Sequence, residues 1–339
     1  MACLWGASVF SFIALFALLA VYGERKISAF IHDRLGPTVT GPKGLFQTFA
    51  DILKLLSKEN IMPDAAEKVL FIIAPLLVFL PVFIGFSVLP VGKGFGVAFP
   101  NSGVLFLVAV VSIEVIGIWI AGWASGNKYA LLGSARAIAQ MVSYEIPALL
   151  AILSAVIIYG TFDLDKICQA QYSQSGILAF GVFKYPFLWI SFVLYFICTL
   201  AETNRSPFDM PEAESELLAG FHIEYSGFRF ALMFLAEYAN MLLLSLLAVL
   251  LFFGGYNSPL PFLGEFDSGT IPALLWGLFW LLSKGFLLVF IQIWLRWSLP
   301  RIRIDQLMFL CWKVLTPAGL VLFFISCIWK LTEVYSNLS

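Results

Sequence analysis

Eight apolar runs of roughly 20 residues divide this chain, at 3–22, 69–90, 103–123, 141–160, 185–203, 229–253, 271–295 and 312–331, and they leave it few ways to fold. A hydrocarbon core about 30 Å thick is crossed by about 20 helical residues. Lipid cannot satisfy backbone N–H and C=O groups, so a spanning segment must be a helix or a strand of a closed barrel. These runs carry Leu, Ile, Phe and Val without the alternating segments of about 10 residues that a barrel shows. The expected class is therefore all-α, a single transmembrane domain over 1–339 with about eight membrane helices plus interfacial amphipathic helices. Composition agrees: 12% of residues are charged, where soluble domains carry about 25%. The net charge of -1 points to no nucleic-acid partner. Two His and five scattered Cys imply no metal site, and the cysteines read as small apolar fillers. The first run lacks a basic n-region and a cleavage site, so it is expected to be a retained helix.

Charge sets the expected orientation. Loops after the first, third, fifth and seventh runs hold most of the Lys and Arg, among them Arg25, Arg34, Lys54, Arg136, Arg205, Arg296, Arg301 and Arg303. The other side has Lys93, Lys166, Lys184 and Lys330, and Lys284 lies within the seventh run. The positive-inside rule then places both termini outside and the basic loops in the cytoplasm. The basic side also has the long connections, 23–68 and an acidic loop at 204–228, and long ionisable loops carry function or dock partners. No P-loop, GxGxxG or inverted repeat is visible.

Three carboxylates fall inside spans: Glu114 near the centre of the third, Glu145 in the first turns of the fourth ahead of Pro147, and Glu237 early in the sixth. Intramembrane acids are costly and mark proton or ion pathways, although one acid alone can be a protonated group satisfied by a neighbour. The segment 201–220 adds Glu202, Asp209, Glu212, Glu214 and Glu216 at the interior mouth. Like charges four apart on a helix repel and titrate together, so this is either a coupled charge sensor or a solvated acidic loop. Residues 43–60 have the pattern of an interfacial amphipathic helix, with Leu45, Phe46, Phe49, Ile52, Leu53 and Leu56 on one face and Gln47, Asp51, Lys54 and Lys58 on the other. Its apolar face is expected to lie on the membrane surface or to border a cavity for a lipid-like molecule.

The motifs GERKISAFIHDRLGP (23–37), GPKGLFQTFADILKLLSKE (41–59), KYALLGSARAIAQMVSYE (128–145), AETNRSPFDMPEAESELLAGFHIEYSGFRFALMFLAEY (201–238) and LPRIRIDQLMFLCWKVLTP (299–317) resemble the H subunit family of respiratory complex I, NADH-quinone oxidoreductase, over about residues 15–330. The resemblance implies a coupling subunit of that enzyme with no redox centre of its own. It implies a quinone chamber walled by the first helix, the amphipathic helix, the sixth span and the last interior loop, with Arg25, Arg34, Phe46, Asp51, Lys54 and Arg301 near it. Glu202, Asp209, Glu212, Glu214 and Glu216 would form the acidic coupling loop, and Glu114, Glu145 and Glu237 an intramembrane proton relay. Ubiquinone or menaquinone would be the substrate, and iron–sulfur clusters would sit only in partner subunits. The implied partners are the soluble-arm subunits at the quinone site, adjacent small membrane subunits and lipids, in a bacterial cytoplasmic membrane. His32, before DRLGP, and Thr38-Val39-Thr40, between the Gly-Pro pairs, depart from the family pattern. An ion-translocating subunit of a membrane-bound hydrogenase or formate hydrogenlyase is the alternative; a lone secondary transporter fits less well.

Overall fold

Apolar runs become helices, and the computed structural model describes them over residues 2–92, 100–172, 176–210, 218–260 and 269–338. In chain order the helices are α1 (Ala2–Ile31), α2 (Gln47–Ser57), α3 (Lys68–Gly85), α4 (Gly103–Ala124), α5 (Lys128–Tyr159), α6 (Leu164–Ala170), α7 (Gly181–Lys184), α8 (Pro186–Glu202), α9 (Gly227–Phe252), α10 (Ile271–Ser298), α11 (Ile304–Phe309) and α12 (Thr316–Leu338). A π-helical stretch, Leu310–Leu315, joins α11 to α12, so the last span is one long rod. No strand occurs among the described residues. Among the described residues, seven helices are long and apolar enough to cross a membrane, and α8, at 17 residues, is a shorter eighth apolar helix.

Two helices run well beyond their apolar runs. α1 continues through Glu24, Arg25 and Lys26 to Ile31, so the first part of 23–68 is helix rather than loop. α5 starts at Lys128, where the Asn127 side chain accepts the Tyr129 N–H at 2.9 Å, and ends at Gly160 in the left-handed conformation. Glu145 therefore lies mid-helix and not in the first turns. The reason is physical: hydropathy marks where lipid begins, whereas caps mark where backbone hydrogen bonding stops.

α9 is the axis of the bundle. Every residue from Tyr238 to Phe252 is buried, the pattern of a helix apolar on all sides. It packs against α1, α2, α3, α8 and α10, while α5 packs against α4, α8 and α12. Helices α3 and α4 approach closely at Gly117, where a Cβ would stand 2.8 Å from the Val78 backbone nitrogen. Small residues at such crossings let backbones touch where no hydrophobic drive separates helix from lipid.

Lys284, the one basic residue placed by sequence inside a span, closes the far end of this axis. Its Nζ donates to the carbonyls of Phe253, Gly255 and Asn257 at 2.9, 2.9 and 2.7 Å, and stands 4.4 Å from the Phe180 ring centroid. A cation at a helix C-terminus satisfies orphan carbonyls and complements the helix dipole. Hydrogen bonds from a charged donor contribute about 1.5–3 kcal/mol each, so Lys284→Met is expected to cost about 3 kcal/mol or more. The check is the thermal midpoint of the solubilised protein; an unchanged midpoint would show that the ammonium does not hold the helix end.

Candidate functional site

The basic side of the bundle carries a buried charge cluster on four elements. Arg205, in the turn after α8, is fully buried. Its Nη1 lies 3.1 Å from Glu24 Oε2 of α1, and its Nη2 lies 3.2 Å from Glu237 Oε1 of α9. Its guanidinium lies 4.5 Å from the Tyr238 ring centroid. Tyr238 Oη donates to Glu24 Oε2 at 2.6 Å, and Arg296 Nη1 of α10 donates to Glu24 Oε1 at 2.8 Å. Burial alone would lower the Arg205 pKa; Glu24, Tyr238 and Glu237 outweigh burial and hold it above its usual value. Arg205 is thus a permanent cation, and two carboxylates balance two guanidinium groups.

Glu237 also faces a cavity of about 20 Å³, lined by Glu114, Glu202, His222 and Asn240 among others. That is room for one water molecule with polar partners on several sides. Glu114 of α4 is buried and accepts from Asn240 Nδ2 of α9 at 2.7 Å. A second cavity of about 20 Å³ lies beyond, lined by Glu145, Glu202 and Tyr195 within a mostly apolar wall. Glu202, the last residue of α8, lines both. Glu145 is half-buried on α5, where Ser112 Oγ of α4 donates to its carboxylate. All three intramembrane acids and Glu202 are therefore strung along two adjoining pockets.

A larger cavity of about 580 Å³ opens between α1, α2 and α9, lined by Phe10, Ala14, Ala17, Leu18, Val21, Phe230 and Leu235 among apolar residues, and by Arg25, Thr48, Asp51 and Lys54. Its size is that of small-molecule sites. Arg25 Nη1 donates to Asp51 Oδ2 at 2.5 Å, and the Gln47 amide reaches Asp51 Oδ1 at 3.2 Å. The amphipathic helix forms over Gln47–Ser57, inside 43–60. Of its apolar face, Leu45, Phe46, Phe49 and Leu53 are exposed, while Ile52 and Leu56 line the cavity together with Thr48, Asp51, Lys54 and Leu55.

Of the six residues expected near this chamber, Arg25, Asp51 and Lys54 line it. Arg34 and Phe46 are exposed away from its wall, and Arg301 instead donates to Asp209 Oδ2 at 2.8 Å. The Ile302 N–H donates to Pro207 O at 3.1 Å beside this pair, so the last basic loop is tied to the start of the acidic one. Gln140 of α5 holds that start from below, donating to Ala201 O and Phe208 O, each at 2.7 Å. Glu212, Glu214 and Glu216 lie outside the described residues. Sequence reading missed Glu24, and it treated Arg205 and Arg296 only as orientation signals. The signal for Glu24 was faint, because it follows the first apolar run and looks like loop. Asn240 was findable, since it lies three residues after Glu237 on one helical face.

Comparison with known proteins follows the same outline. The NADH dehydrogenase family model matches residues 5–327. The H subunit of NADH-quinone oxidoreductase from Chlorobaculum tepidum is 53% identical over 324 residues, 95% of this chain and 90% of its own. The H subunit numbered 2 from Cytophaga hutchinsonii is 48% identical, covering 95% of this chain and 97% of its own, and the H subunit from Rickettsia typhi is 47% identical over 88% and 84%. These names do not favour the hydrogenase alternative. Eight apolar helices and identities of about half over nearly the whole chain have one reading: the chain belongs to the NADH dehydrogenase family, as the H-type membrane subunit of NADH-quinone oxidoreductase, complex I.

Proposed function

We propose that the 580 Å³ cavity admits quinone from the bilayer and that the carboxylate string carries the consequence of its reduction toward neighbouring subunits. One observation carries this reading. Polar groups are laid out from the cavity to the far flank: Arg25 on its wall, Glu24 next along α1, then Arg205 and Glu237, then two cavities that share Glu202, then Glu145.

The chemistry fits the layout. Reducing a quinone to quinol takes two electrons and two protons. The electrons come from iron–sulfur clusters in the soluble-arm subunits, and this chain supplies position and charge. Proton demand at the headgroup disturbs the balanced Glu24–Arg205–Glu237–Arg296 cluster, because charges in a low-dielectric bundle feel one another strongly. When Glu237 changes its hold on Arg205, its carboxylate is free to exchange a proton with water in the first cavity. Glu202 passes that proton, or its charge, to the second cavity and to Glu145. Glu145 is half-buried on the bundle's flank, where an adjacent small membrane subunit can receive it. Asp209, paired with Arg301, and the acids Glu212, Glu214 and Glu216 would face the soluble arm. The positive-inside rule supports a reading in which this side faces the cytoplasm of a bacterium and both termini lie outside.

Glu202→Gln separates the two pockets with a group that cannot carry a proton. In the assembled complex in liposomes, it is expected to lower proton pumping about tenfold or more, a barrier of about 1.4 kcal/mol. Electron input measured with an artificial acceptor should persist, and pumping at the parental rate would end the relay assignment. For the cavity, Ala14→Phe fills space on its α1 wall. It is expected to raise KM for a long-tailed quinone about tenfold, or about 1.4 kcal/mol, with kcat nearly unchanged and a short-tailed quinone less affected. An unchanged KM would show that the tail does not lie there.

A further inference from the structure

We propose that His222 is the residue through which protons from the basic side enter the cavity shared by Glu114, Glu202 and Glu237. The inference rests on the relay reading above, and adds to it a named point of proton supply.

His222 ends a short 3-10 turn, Gly220–His222, between the acidic segment and α9. The turn is held firmly. Gly133 of α5 lies so close that a Cβ there would stand 2.7 Å from Gly220 Cα. Phe221 is buried, and Tyr225 stacks on Phe71 of α3 with centroids 4.1 Å apart. Asn127 Nδ2 donates to Glu224 Oε1 at 2.7 Å. The imidazole is flanked by the Phe221 ring at 3.9 Å and the Phe230 ring at 5.7 Å. It lines the first cavity together with Glu114 from α4, Glu202 from the end of α8 and Glu237 from α9. Its Nδ1 is closed off from solvent, while the residue as a whole keeps a partly exposed surface. The residue thus has one part at the surface and one part on the wall of the cavity that the carboxylates share.

An imidazole has two nitrogens, and a neutral ring carries a proton on one and a lone pair on the other. Burial pushes the pKa of His222 down to about 4, so near neutral pH the ring is in that two-faced form. A proton accepted from water on one nitrogen makes a short-lived imidazolium. The proton on the other nitrogen then passes to a carboxylate in the cavity, and tautomer exchange restores the neutral ring. Nothing but the proton is transferred. The aromatic flanks meanwhile keep bulk water away from the carboxylates, which an open channel would not do.

The test uses the assembled complex in liposomes, with His222→Asn, His222→Gln and His222→Asp. The amides keep polarity and hydrogen bonding but cannot relay a proton; the aspartate can. Asn and Gln variants are expected to lose about tenfold in proton pumping, with the Asp variant recovering much of it and all three assembling. Should one amide variant fail to assemble, the other supplies the measurement. Pumping by His222→Asn or His222→Gln at the parental rate overturns the proposal, as does an Asp variant no better than the amides. If Glu202→Gln abolishes pumping while the His222 amides do not, the entry point is wrong and the relay stands. If Glu202→Gln also pumps normally, the relay itself has failed.

Discussion

A guanidinium with no access to solvent, held between two carboxylates, is the interaction on which the basic half of this bundle depends. An unpaired charge in such a place costs several kcal/mol, and removing one partner of a buried pair typically costs about 3–5 kcal/mol. Arg205 draws α1, the turn after α8 and α9 to one point, and Arg296 adds α10 through Glu24. The two carboxylates are not equivalent. Glu24 is gripped by Arg205, Arg296 and Tyr238, with its side chain 7% exposed. Glu237 meets Arg205 at 3.2 Å, is 20% exposed and opens onto a cavity. Glu24 therefore fixes the architecture, and Glu237 is the member whose hold can change without taking the helices apart.

Coupling between sites needs a contiguous set of groups with more than one arrangement. Two cavities of about 20 Å³ supply that freedom at small cost, since each has room for one water to reorient while the packed walls stay put. The string alternates fixed and adjustable members. Asn240 fixes Glu114 and Ser112 fixes Glu145, whereas Glu202 faces a pocket on each side. An acid at the C-terminal end of the short helix α8 is well placed for this, because the helix ends where both pockets begin.

The bundle was readable because lipid imposes one rule on every span: about 20 apolar residues and internal backbone hydrogen bonding. That rule found the eight helices and the acids within them. It did not give helix ends, so α1 and α5 extended past their apolar runs and Glu145 moved to mid-helix. Arg205 and Glu24 were unreadable as a pair, being 181 positions apart with hydropathy saying nothing of which loop residues fold inward. Chamber residues split for a related reason. Arg25 and Asp51 sit on helices whose registers aim them at the cavity, whereas Arg301 sits on a loop whose path is set by the Asp209 contact.

The lining of the large cavity gives it a direction. On α2, Phe49 and Leu53 turn outward, as on an interfacial helix, while Ile52, Leu55 and Leu56 line the cavity. Thr48 and Asp51 line it as well, and Asp51 meets Arg25 of α1. The cavity therefore runs from Phe10 and Ala14 at its apolar end to Arg25 at its polar end, about 22 Å along α1 at 1.5 Å per residue. An amphiphile entering from the bilayer lowers its free energy only with its tail along the first and its headgroup at the second. At that end Glu24 is the next residue of the helix, already in contact with Arg205. The polar end of the cavity and the start of the charged string are thus set by adjacent residues of α1, Arg25 and Glu24.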